Sequence, residues 1–356
     1  MKIIMTGGGT AGHVTPNIAL IPKLKKEGYE ISYIGTDNGM EKDLILKEGL
    51  DYYSISAGKM RRYLSLENLT DILKIGKGFF EASKHIRKIK PDVVFSKGGF
   101  VSCPVVWAAW VNGVPAVIHE SDLTPGLANK LSIPFAKKIC YAFPETKNYL
   151  PKGKSVMTGI PVRSDMLKGN KSDGLKFTGF NNQKAVIVVI GGSLGSKSIN
   201  KLVRESLNEL LEKYQVCHIC GKDGYDTSLT NLEGYVQYDY VGSELKDMFA
   251  MADVIISRAG ATTLYEILNL AKPNILIPLP KAVSRGDQVL NAEFFRKEGY
   301  SEVLDEDYIS KEILLNEIND VLSNQNKYIT AMKSSKIRNS VDVVIDTVNK
   351  ERKNSR

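Results

Sequence analysis

The sequence predicts an α/β protein made of two Rossmann-like domains, whose parallel sheets face one another across a cleft. Short apolar runs rich in β-branched residues alternate with helical patterns along the 356 residues, which is typical of parallel sheets covered on both faces. A GGxxG turn follows the first strand of each half, at residues 8–12 and 191–195. We therefore expect two similar halves rather than one cofactor domain with an unrelated partner.

The elements follow from this alternation. Strands are predicted in the first half at residues 2–7, 31–36, 52–56, 92–97, 116–120 and 137–143, and in the second at 185–192, 214–220, 236–241, 253–260 and 274–280. Helices are predicted at residues 16–27 and from Ala261 onward. Pro151 and Pro161 mark a linker between the two series. The predicted domains are therefore 1–162 and 163–340, with a tail at 341–356 that packs back on the first domain.

Composition excludes several classes of protein. The chain is 43% hydrophobic and has four cysteines, too few for a disulfide scaffold of this length. Cys217 and Cys220 have CxxC spacing, but they lie in a predicted strand without a second pair, so we interpret them as core residues. Neither a signal peptide nor a membrane span is expected, because glycines and prolines interrupt the apolar runs.

Positive charge is concentrated in one stretch. Residues 59–90 contain nine Lys or Arg against three acidic residues, out of a net charge of +8 for the chain. The stretch is either an ordinary solvated face or a basic, apolar patch that rests on an anionic membrane surface. Nucleic acid is disfavoured, because no recognition module accompanies the patch.

Glycine-rich turns indicate phosphate binding. They occur at the predicted strand ends 7–12, 96–100 and 191–195, and a fourth strand end reads SRAGATTLYE. The first turn fits GxGxxG, so a dinucleotide oxidoreductase is one hypothesis. Two turns in each half favour two phosphate-bearing ligands instead, and Asp37 is poorly placed for the acid of that fingerprint.

Four further residues or short segments could carry chemistry. Glu266, expected in the first turn of the helix from Ala261, is either a helix-dipole acid or a partner for a ribose diol. His13 follows the first glycine turn and could transfer a proton, and His119 and Glu120 end another strand. The DED sequence at 305–307 is a weak metal candidate in a charged loop.

Seven segments taken together resemble one family. They read TGGGTAGHVTPNIAL, SKGGFVSCP, IHESDLTPGLANK, TGIPVR, GGSLGSKSIN, SRAGATTLYEI and RGDQVLNA, in this order. In this combination the chain is similar to the MurG family of glycosyltransferases, nearly from end to end. The resemblance implies the two-domain GT-B fold. It also implies transfer of N-acetylglucosamine from UDP-N-acetylglucosamine to the muramoyl C4 hydroxyl of an undecaprenyl-diphospho-muramoylpentapeptide.

The resemblance also implies roles for individual residues. In the second domain the donor would be bound by Arg163, Ser193, Val241, Ala261, Thr262, Thr263, Leu264, Glu266 and Gln288, and in the first domain by Thr10, Ala11 and Gly12. The acceptor diphosphate would be held by Gly8, Gly9, Lys97, Gly98 and Gly99. His13 would be the base, with Glu120 and Asp122 as further candidates. Ile72, Leu73, Ile75 and Phe79 would touch the bilayer.

The resemblance implies a setting as well. The enzyme would lie at the cytoplasmic face of the cell membrane as a peripheral protein, without a tightly bound metal, and possible partners are other wall-synthesis proteins.

Departures from the family pattern keep some roles open. Where many members read His-Glu-Gln-Asn, this chain reads HESD at 119–122. An amide is thereby replaced by the Asp122 carboxylate, which makes Asp122 a rival base. Ala11 replaces a common glycine, and Asp287 stands where others carry glutamine, which favours Gln288 as the sugar contact.

Three other functions remain as alternatives. A UDP-sugar epimerase would share the two-domain plan but would need no acceptor. An oxidoreductase would bind NAD(P), and a non-catalytic membrane module would use only the basic stretch.

Overall fold

The chain divides into two compact units. A computed structural model describes residues 1–58, 66–192, 195–338 and 340–353, with backbone alone for 66–70. The first unit comprises Met1–Arg163 with Asn339–Arg356, and the second comprises Ser164–Arg338. These divisions lie one and two residues from the expected boundaries after residues 162 and 340, so Arg163 belongs to the first unit.

The first unit contains a seven-stranded parallel sheet in the order β3-β2-β1-β4-β5-β6-β7. Its strands are β1 (Lys2–Thr6), β2 (Glu30–Gly35), β3 (Asp51–Ser54), β4 (Val93–Ser96), β5 (Ala116–Glu120), β6 (Lys138–Tyr141) and β7 (Ser155–Met157). Its helices are α1 (Ala11–Lys26), α2 (Met40–Lys47), α3 (Leu66–Ile89), α4 (Ser102–Val111), α5 (Leu127–Ser132) and α14 (Ser340–Glu351), with 3₁₀ turns at Ile133–Phe135 and Pro144–Tyr149.

The second unit contains a six-stranded parallel sheet in the order β10-β9-β8-β11-β12-β13. Its strands are β8 (Ala185–Ile190), β9 (Tyr214–Ile219), β10 (Tyr235–Tyr238), β11 (Val254–Ser257), β12 (Asn274–Leu276) and β13 (Glu302–Val303). Its helices are α6 (Lys171–Thr178), α7 (Lys197–Glu205), α8 (Leu207–Lys213), α9 (Leu245–Met251), α10 (Ala261–Leu270), α11 (Asp287–Lys297), α12 (Lys311–Ser323) and α13 (Gln325–Ser334). Short 3₁₀ turns lie at Met166–Lys168, Lys222–Gly224 and Thr227–Leu229.

Alternating side chains of β1 show how each sheet is buried on both faces. Ile3 and Met5 join a core cluster with α1 and α14, whereas Ile4 joins the cluster on the opposite face, formed with α3 and α4. Because strand side chains alternate between faces, only a continuous apolar run can fill both clusters. The tail helix α14 contributes Val344 and Val348 to the first cluster, so this late segment is part of the first unit.

The eleven predicted strands are present, with some changed ends. Strand β10 stops at Tyr238 rather than at residue 241, and helix α1 begins at Ala11 rather than at Pro16, with this proline inside it. Strands β7 and β13 were not predicted, because segments of three and two residues at sheet edges are too short for a periodic pattern.

The CxxC pair belongs to the core. Cys217 and Cys220 are buried and free, and their sulfurs lie 3.9 Å from Met248 Sδ and 3.3 Å from Tyr238 O, respectively. Burial raises the pKa of both thiols. A redox role would need the opposite shift.

A buried histidine predicts how stability depends on pH. His218 lies between Tyr235 Oη and Asn200 Oδ1, at 2.9 Å from each, and burial lowers its pKa to about 3. Below about pH 6.5 this histidine binds a proton in the unfolded protein, whereas in the folded protein it stays neutral down to much lower pH. We therefore expect the free energy of unfolding to decrease as the pH is lowered, by about 2 kcal/mol between pH 7 and pH 5 from this residue.

Urea unfolding of the wild type and of His218→Gln at pH 7, 6 and 5 measures this effect. The variant should lose about 2 kcal/mol less than the wild type over this range. His119, whose pKa burial also lowers, adds a slope that both proteins share. Equal slopes would contradict the assignment.

Candidate active site

The first glycine turn lies at the carboxyl end of β1 and is held from below. Tyr33 Oη donates to Gly7 O at 2.7 Å, and Asn17 Nδ2 donates to Thr6 O at 3.2 Å. Gly9 has φ of +88°, a conformation that a side chain disfavours. Gly9 and Thr10 are exposed, and Ala11 and Gly12, which open α1, are partly exposed. Bare backbone at the start of a helix is therefore presented at this edge of the sheet.

His13 lies in the first turn of α1. Its Nδ1 is 3.1 Å from Gly8 O and 3.2 Å from Thr10 Oγ1. A carbonyl oxygen can only accept, so the bond to Gly8 O places the proton of the neutral ring on Nδ1. Nε2 is then the atom that can accept a proton.

The second glycine turn packs against the first. Gly98 and Gly99 follow β4 and have φ values of +98° and +86°. A Cβ on Gly99 would lie only 2.3 Å from Gly8 O. The two turns predicted to bind phosphate are therefore brought into direct contact by the β1–β4 pairing.

Lys97 is a buried cation that directly precedes the second glycine turn. It is 1% exposed, and its Nζ donates to Ser121 Oγ. Burial lowers its pKa to about 8, against the opposing effect of Glu120 and Asp122. A charge held in this position at neutral pH destabilises the fold, which is typical of a functional group.

Replacing Lys97 with methionine should therefore stabilise the protein. Between pH 8 and 10.5 the unfolded chain keeps a proton that the folded Lys97 has lost, so the buried charge destabilises wild type chiefly below pH 8. We expect Lys97→Met to raise the free energy of unfolding by about 1–3 kcal/mol at pH 7, and by less at pH 9.5. Urea unfolding at both pH values checks this, and a destabilised variant at pH 7 would contradict it.

Glu120 holds the loop that follows β5. Its carboxylate accepts from Asp122 N at 3.0 Å, Gly126 N at 2.9 Å and Asn129 Nδ2 at 2.8 Å. With its oxygens engaged and only 4% of the residue exposed, Glu120 is better suited to shaping this loop than to accepting a proton. Asp122 lies in the loop and is partly exposed, so it stays the rival to His13.

In the second unit, the turn after β8 is described only in part. Ser193 lies outside the described residues, but Gly192 and Gly195 have φ values of +90° and +76°. Ser196 then caps α7, accepting from Ile199 N. Val241 lies beyond the end of β10, in the partly exposed loop before α9, so it is a loop residue and not the strand end expected from its sequence.

Helix α10 corrects two expectations. The Leu264 amide donates to Gly260 O at 3.0 Å within the helix, so it cannot bind a phosphate. Helix α10 starts at Ala261, and the start of a helix favours an anion. Glu266 is the sixth residue of α10 and therefore lies in its second turn, not the first, with 7% exposed.

Gln288 and Arg163 occupy defined positions. Gln288 is the second residue of α11, and its Oε1 accepts from Leu279 N at 3.1 Å. A sugar hydroxyl would therefore be met by its NH₂ group. Its neighbour Asp287 pairs with Arg285 at 3.3 Å. Arg163, partly buried, is the last residue of the first unit before the chain enters the second.

Arg258 connects three segments at this edge, a role that the sequence analysis missed. From the end of β11 its guanidinium donates to Ile277 O at 3.0 Å and Ser196 Oγ at 2.7 Å, and it pairs with Glu306. Glu306 is the middle residue of the DED sequence, which accordingly supplies a partner for arginine. In the described parts of the chain, no three His, Cys, Asp or Glu residues are grouped as metal ligands. The sequence did contain a signal for Arg258, because an arginine between an apolar strand and a glycine turn indicates a charged group at the end of a buried strand.

The surface of α3 is apolar and basic. Leu73 and Phe80 are 70% and 71% exposed, and Ile72 is also exposed. Phe79, expected to face a bilayer, instead packs partly against the core. Phe80, the next residue, is rotated by about 100° around the helix axis and faces outward. Exposed basic residues flank these side chains, at Lys74, Lys77, Lys84, Arg87 and Lys88. Among the described residues, no helix is both long and apolar enough to cross a bilayer.

Two Rossmann-like units with glycine turns at the carboxyl ends of their strands are typical of a nucleotide-binding α/β protein. Comparison with known proteins identifies the family. Residues 3–141 match the glycosyltransferase family 28 N-terminal domain, and residues 186–348 match its C-terminal domain. The chain belongs to the MurG family of these glycosyltransferases.

Its relatives match along nearly the whole chain. Proteins from Clostridium tetani and Clostridium perfringens are 54% and 56% identical over 349 residues, covering 98% of this chain and 98% of each relative. Both are named UDP-N-acetylglucosamine–N-acetylmuramyl-(pentapeptide) pyrophosphoryl-undecaprenol N-acetylglucosamine transferase.

Solved structures share the fold. A crystal structure of MurG from Acinetobacter baumannii is 27% identical, with a TM-score of 0.73 over 98% of this chain and 99% of that one. A UDP-GlcNAc 2-epimerase from Neisseria meningitidis is 15% identical, with a TM-score of 0.69 over 98% of this chain and 100% of that one. At that identity the epimerase supports the fold alone.

Proposed function

We infer that this protein transfers N-acetylglucosamine from UDP-N-acetylglucosamine to the C4 hydroxyl of undecaprenyl-diphospho-N-acetylmuramoyl-pentapeptide, a step of peptidoglycan synthesis. The observation that carries this proposal is the 54–56% identity, across both units, to relatives that bear that name. The fold alone would also fit an epimerase. The proposal therefore depends on the sequence identity to the named transferases and on the residues at the carboxyl edges of the two sheets.

The donor would bind mainly to the second unit. The turn at 191–196 and the first-turn amides of α10 would hold the diphosphate, because a helix start favours an anion. Glu266 would accept from the ribose hydroxyls, and the Val241 backbone would meet uracil. The NH₂ of Gln288 would donate to the sugar. Arg258, which joins the loops before α7 and after β12, would keep them in register.

The acceptor would bind to the first unit. Its diphosphate would lie on the contacting glycine turns, where Lys97 supplies positive charge. The Gly9 amide is already directed to Glu41 Oε2 at 3.3 Å, so we assign the larger share of phosphate contacts to the Gly98–Gly99 turn and the start of α4. Thr10, Ala11 and Gly12 would approach the sugar being transferred.

The reaction would be a single displacement. His13 Nε2 takes the C4 hydroxyl proton as the oxygen attacks the anomeric carbon, and the bond from that carbon to the UDP oxygen breaks with its electron pair. The charge on departing UDP would be met by backbone amides at helix starts, without a tightly bound metal. An α-linked donor then gives a β1,4-linked product.

We propose that α3 docks on the anionic cytoplasmic face of the membrane, where the lipid acceptor resides. Leu73→Ser combined with Phe80→Ser should weaken binding to vesicles containing anionic lipid by about tenfold or more, because two exposed apolar side chains are removed. Sedimentation with such vesicles measures this. Tyr308→Ser, an exposed aromatic in the second unit, is the matched control. Equal binding by all three proteins would contradict the docking surface. Association with other wall-synthesis proteins stays a prediction.

A transfer assay tests the proposed function. Purified protein with labelled UDP-N-acetylglucosamine and a short-chain lipid acceptor should form the lipid-linked disaccharide, and product should require the acceptor. Conversion of the donor without acceptor would favour the epimerase. Stabilisation by NAD but not by UDP in a thermal-shift comparison would favour the oxidoreductase. A folded protein with no turnover would leave only a membrane module.

A further inference from the structure

A fully buried carboxylate lies directly beneath the first glycine turn. Glu41 is the second residue of α2, and no part of it is exposed. Its oxygens accept from Thr36 Oγ1 at 2.6 Å, Thr36 N at 3.0 Å and Gly9 N at 3.3 Å. The start of α2 favours this negative charge. Nothing in the displacement described above requires such a group.

Glycines allow the carboxylate to come this close. A Cβ on Gly8 would lie 2.6 Å from Glu41 Oε1, and a Cβ on Gly39 would lie 2.2 Å from the same atom. Any side chain at either position would displace the carboxylate. Part of the glycine density in this segment therefore serves an internal anion, and not only a bound ligand.

One peptide bond connects Glu41 to His13. The Gly9 N–H, which faces Glu41, and the Gly8 carbonyl, which lies 3.1 Å from His13 Nδ1, belong to the same peptide unit. In a trans peptide these two groups point in opposite directions. The carboxylate and the imidazole thus bind the two ends of a single dipole.

We propose that Glu41 is a positioning residue that orients His13 through the Gly8–Gly9 peptide. The proposal rests on the proposed function of His13 as the base. A negative charge at the N–H end polarises the peptide and makes its carbonyl a stronger acceptor. The stronger bond keeps the proton on Nδ1 and the lone pair on Nε2, where the acceptor hydroxyl would be deprotonated. Directly paired carboxylates do the same for histidines in catalytic triads.

The charged groups around Glu41 leave it as the anion that faces the turn. Tyr33 and Tyr52 pack nearby, and burial together with the Glu41 charge raises the pKa of each, so both stay neutral near pH 7. Lys42 pairs with Asp37 at the surface, at 2.7 Å. Lys97 is a neighbour of the first glycine turn, since its Cβ lies 3.2 Å from a Cβ built on Gly7.

Histidine ring NMR tests the proposal without an activity assay. The chain has four histidines, so loss of one signal in His13→Ala assigns the ring. In full-length wild-type protein, nitrogen-15 shifts should report a neutral His13 protonated on Nδ1. Glu41→Gln should shift this ring toward the Nε2-protonated form, whereas Asp43→Asn, which removes an exposed carboxylate from the same helix turn, should not. An unchanged His13 tautomer in folded Glu41→Gln would overturn the proposal.

Kinetics provide the second readout. Glu41→Gln should lower kcat about tenfold or more and leave KM for UDP-N-acetylglucosamine within about twofold, because the proposed nucleotide contacts belong to the second unit. Combined with His13→Ala it should cause no further loss, since both changes remove one effect. Glu41→Asp, which keeps the charge with a shorter reach, should be intermediate and serves if Glu41→Gln does not fold. Additive losses would mean a separate structural role. Absence of transfer by wild type would refute the proposed function, while the NMR result would still decide on the Glu41–His13 connection.

Discussion

His13→Ala should lower the rate of sugar transfer by about 10²- to 10⁴-fold, the contribution typical of a positioned general base. Donor affinity should be unchanged, because the proposed nucleotide contacts belong to the second unit. The measurement is kcat for disaccharide formation, together with UDP binding by calorimetry. His13→Gln should be about as slow as His13→Ala, because a glutamine amide can donate to Gly8 O as His13 Nδ1 does but is not basic enough to take a proton.

Two variants make the result specific. His85→Ala removes a partly buried histidine of α3 that contacts Tyr53, and it should keep transfer near the wild-type rate. Asp122→Asn tests the rival base. A large loss in Asp122→Asn with little change in His13→Ala would transfer the role to the carboxylate.

Gly99→Ala should destabilise the first unit by about 3 kcal/mol or more and abolish transfer. Alanine at φ of +86° costs about 1–2 kcal/mol, and its Cβ would overlap Gly8 O at 2.3 Å, which forces the two glycine turns apart. Urea unfolding and the transfer assay measure both effects.

A glycine in the same unit provides the control. Gly76 lies within α3, and a Cβ there would meet nothing within 4 Å. Gly76→Ala should therefore stabilise the protein by about 0.5–1 kcal/mol. If Gly99→Ala folded with wild-type stability, the contact between the turns would be incorrect.

The fold was predictable because its strands are buried on both faces. Runs such as VIVV in β8 must be apolar at every position, which separates them clearly from amphipathic helices. The edge strand β7 has only three residues and one partner, so its sequence carries no comparable pattern. The early start of α1 was missed because Pro16 reads as a helix beginning, whereas it is the sixth residue of α1, where a proline leaves one helix hydrogen bond unmade.

Positions in the candidate site could be proposed from the sequence where backbone chemistry dictates residue type. Glycines at strand ends, and a histidine beside them, can be recognised directly in the amino-acid sequence. Helix register is not visible in this way, so the sequence analysis placed Glu266 one turn too early and expected Phe79, rather than the exposed Phe80, to face outward. Glu41 and Arg258 were missed for a related reason. Key partners, Gly9 N for Glu41 and Ser196 Oγ for Arg258, are distant in sequence, and only the folded chain brings these groups together.

The configuration of the new glycosidic bond tests the central claim most directly, namely that one displacement moves the sugar between the two substrates. Disaccharide formed from the α-linked donor by wild-type protein can be isolated and its anomeric coupling measured by NMR. A β1,4 bond is the predicted result. An α bond would require a second displacement, and would contradict the single-base mechanism at His13.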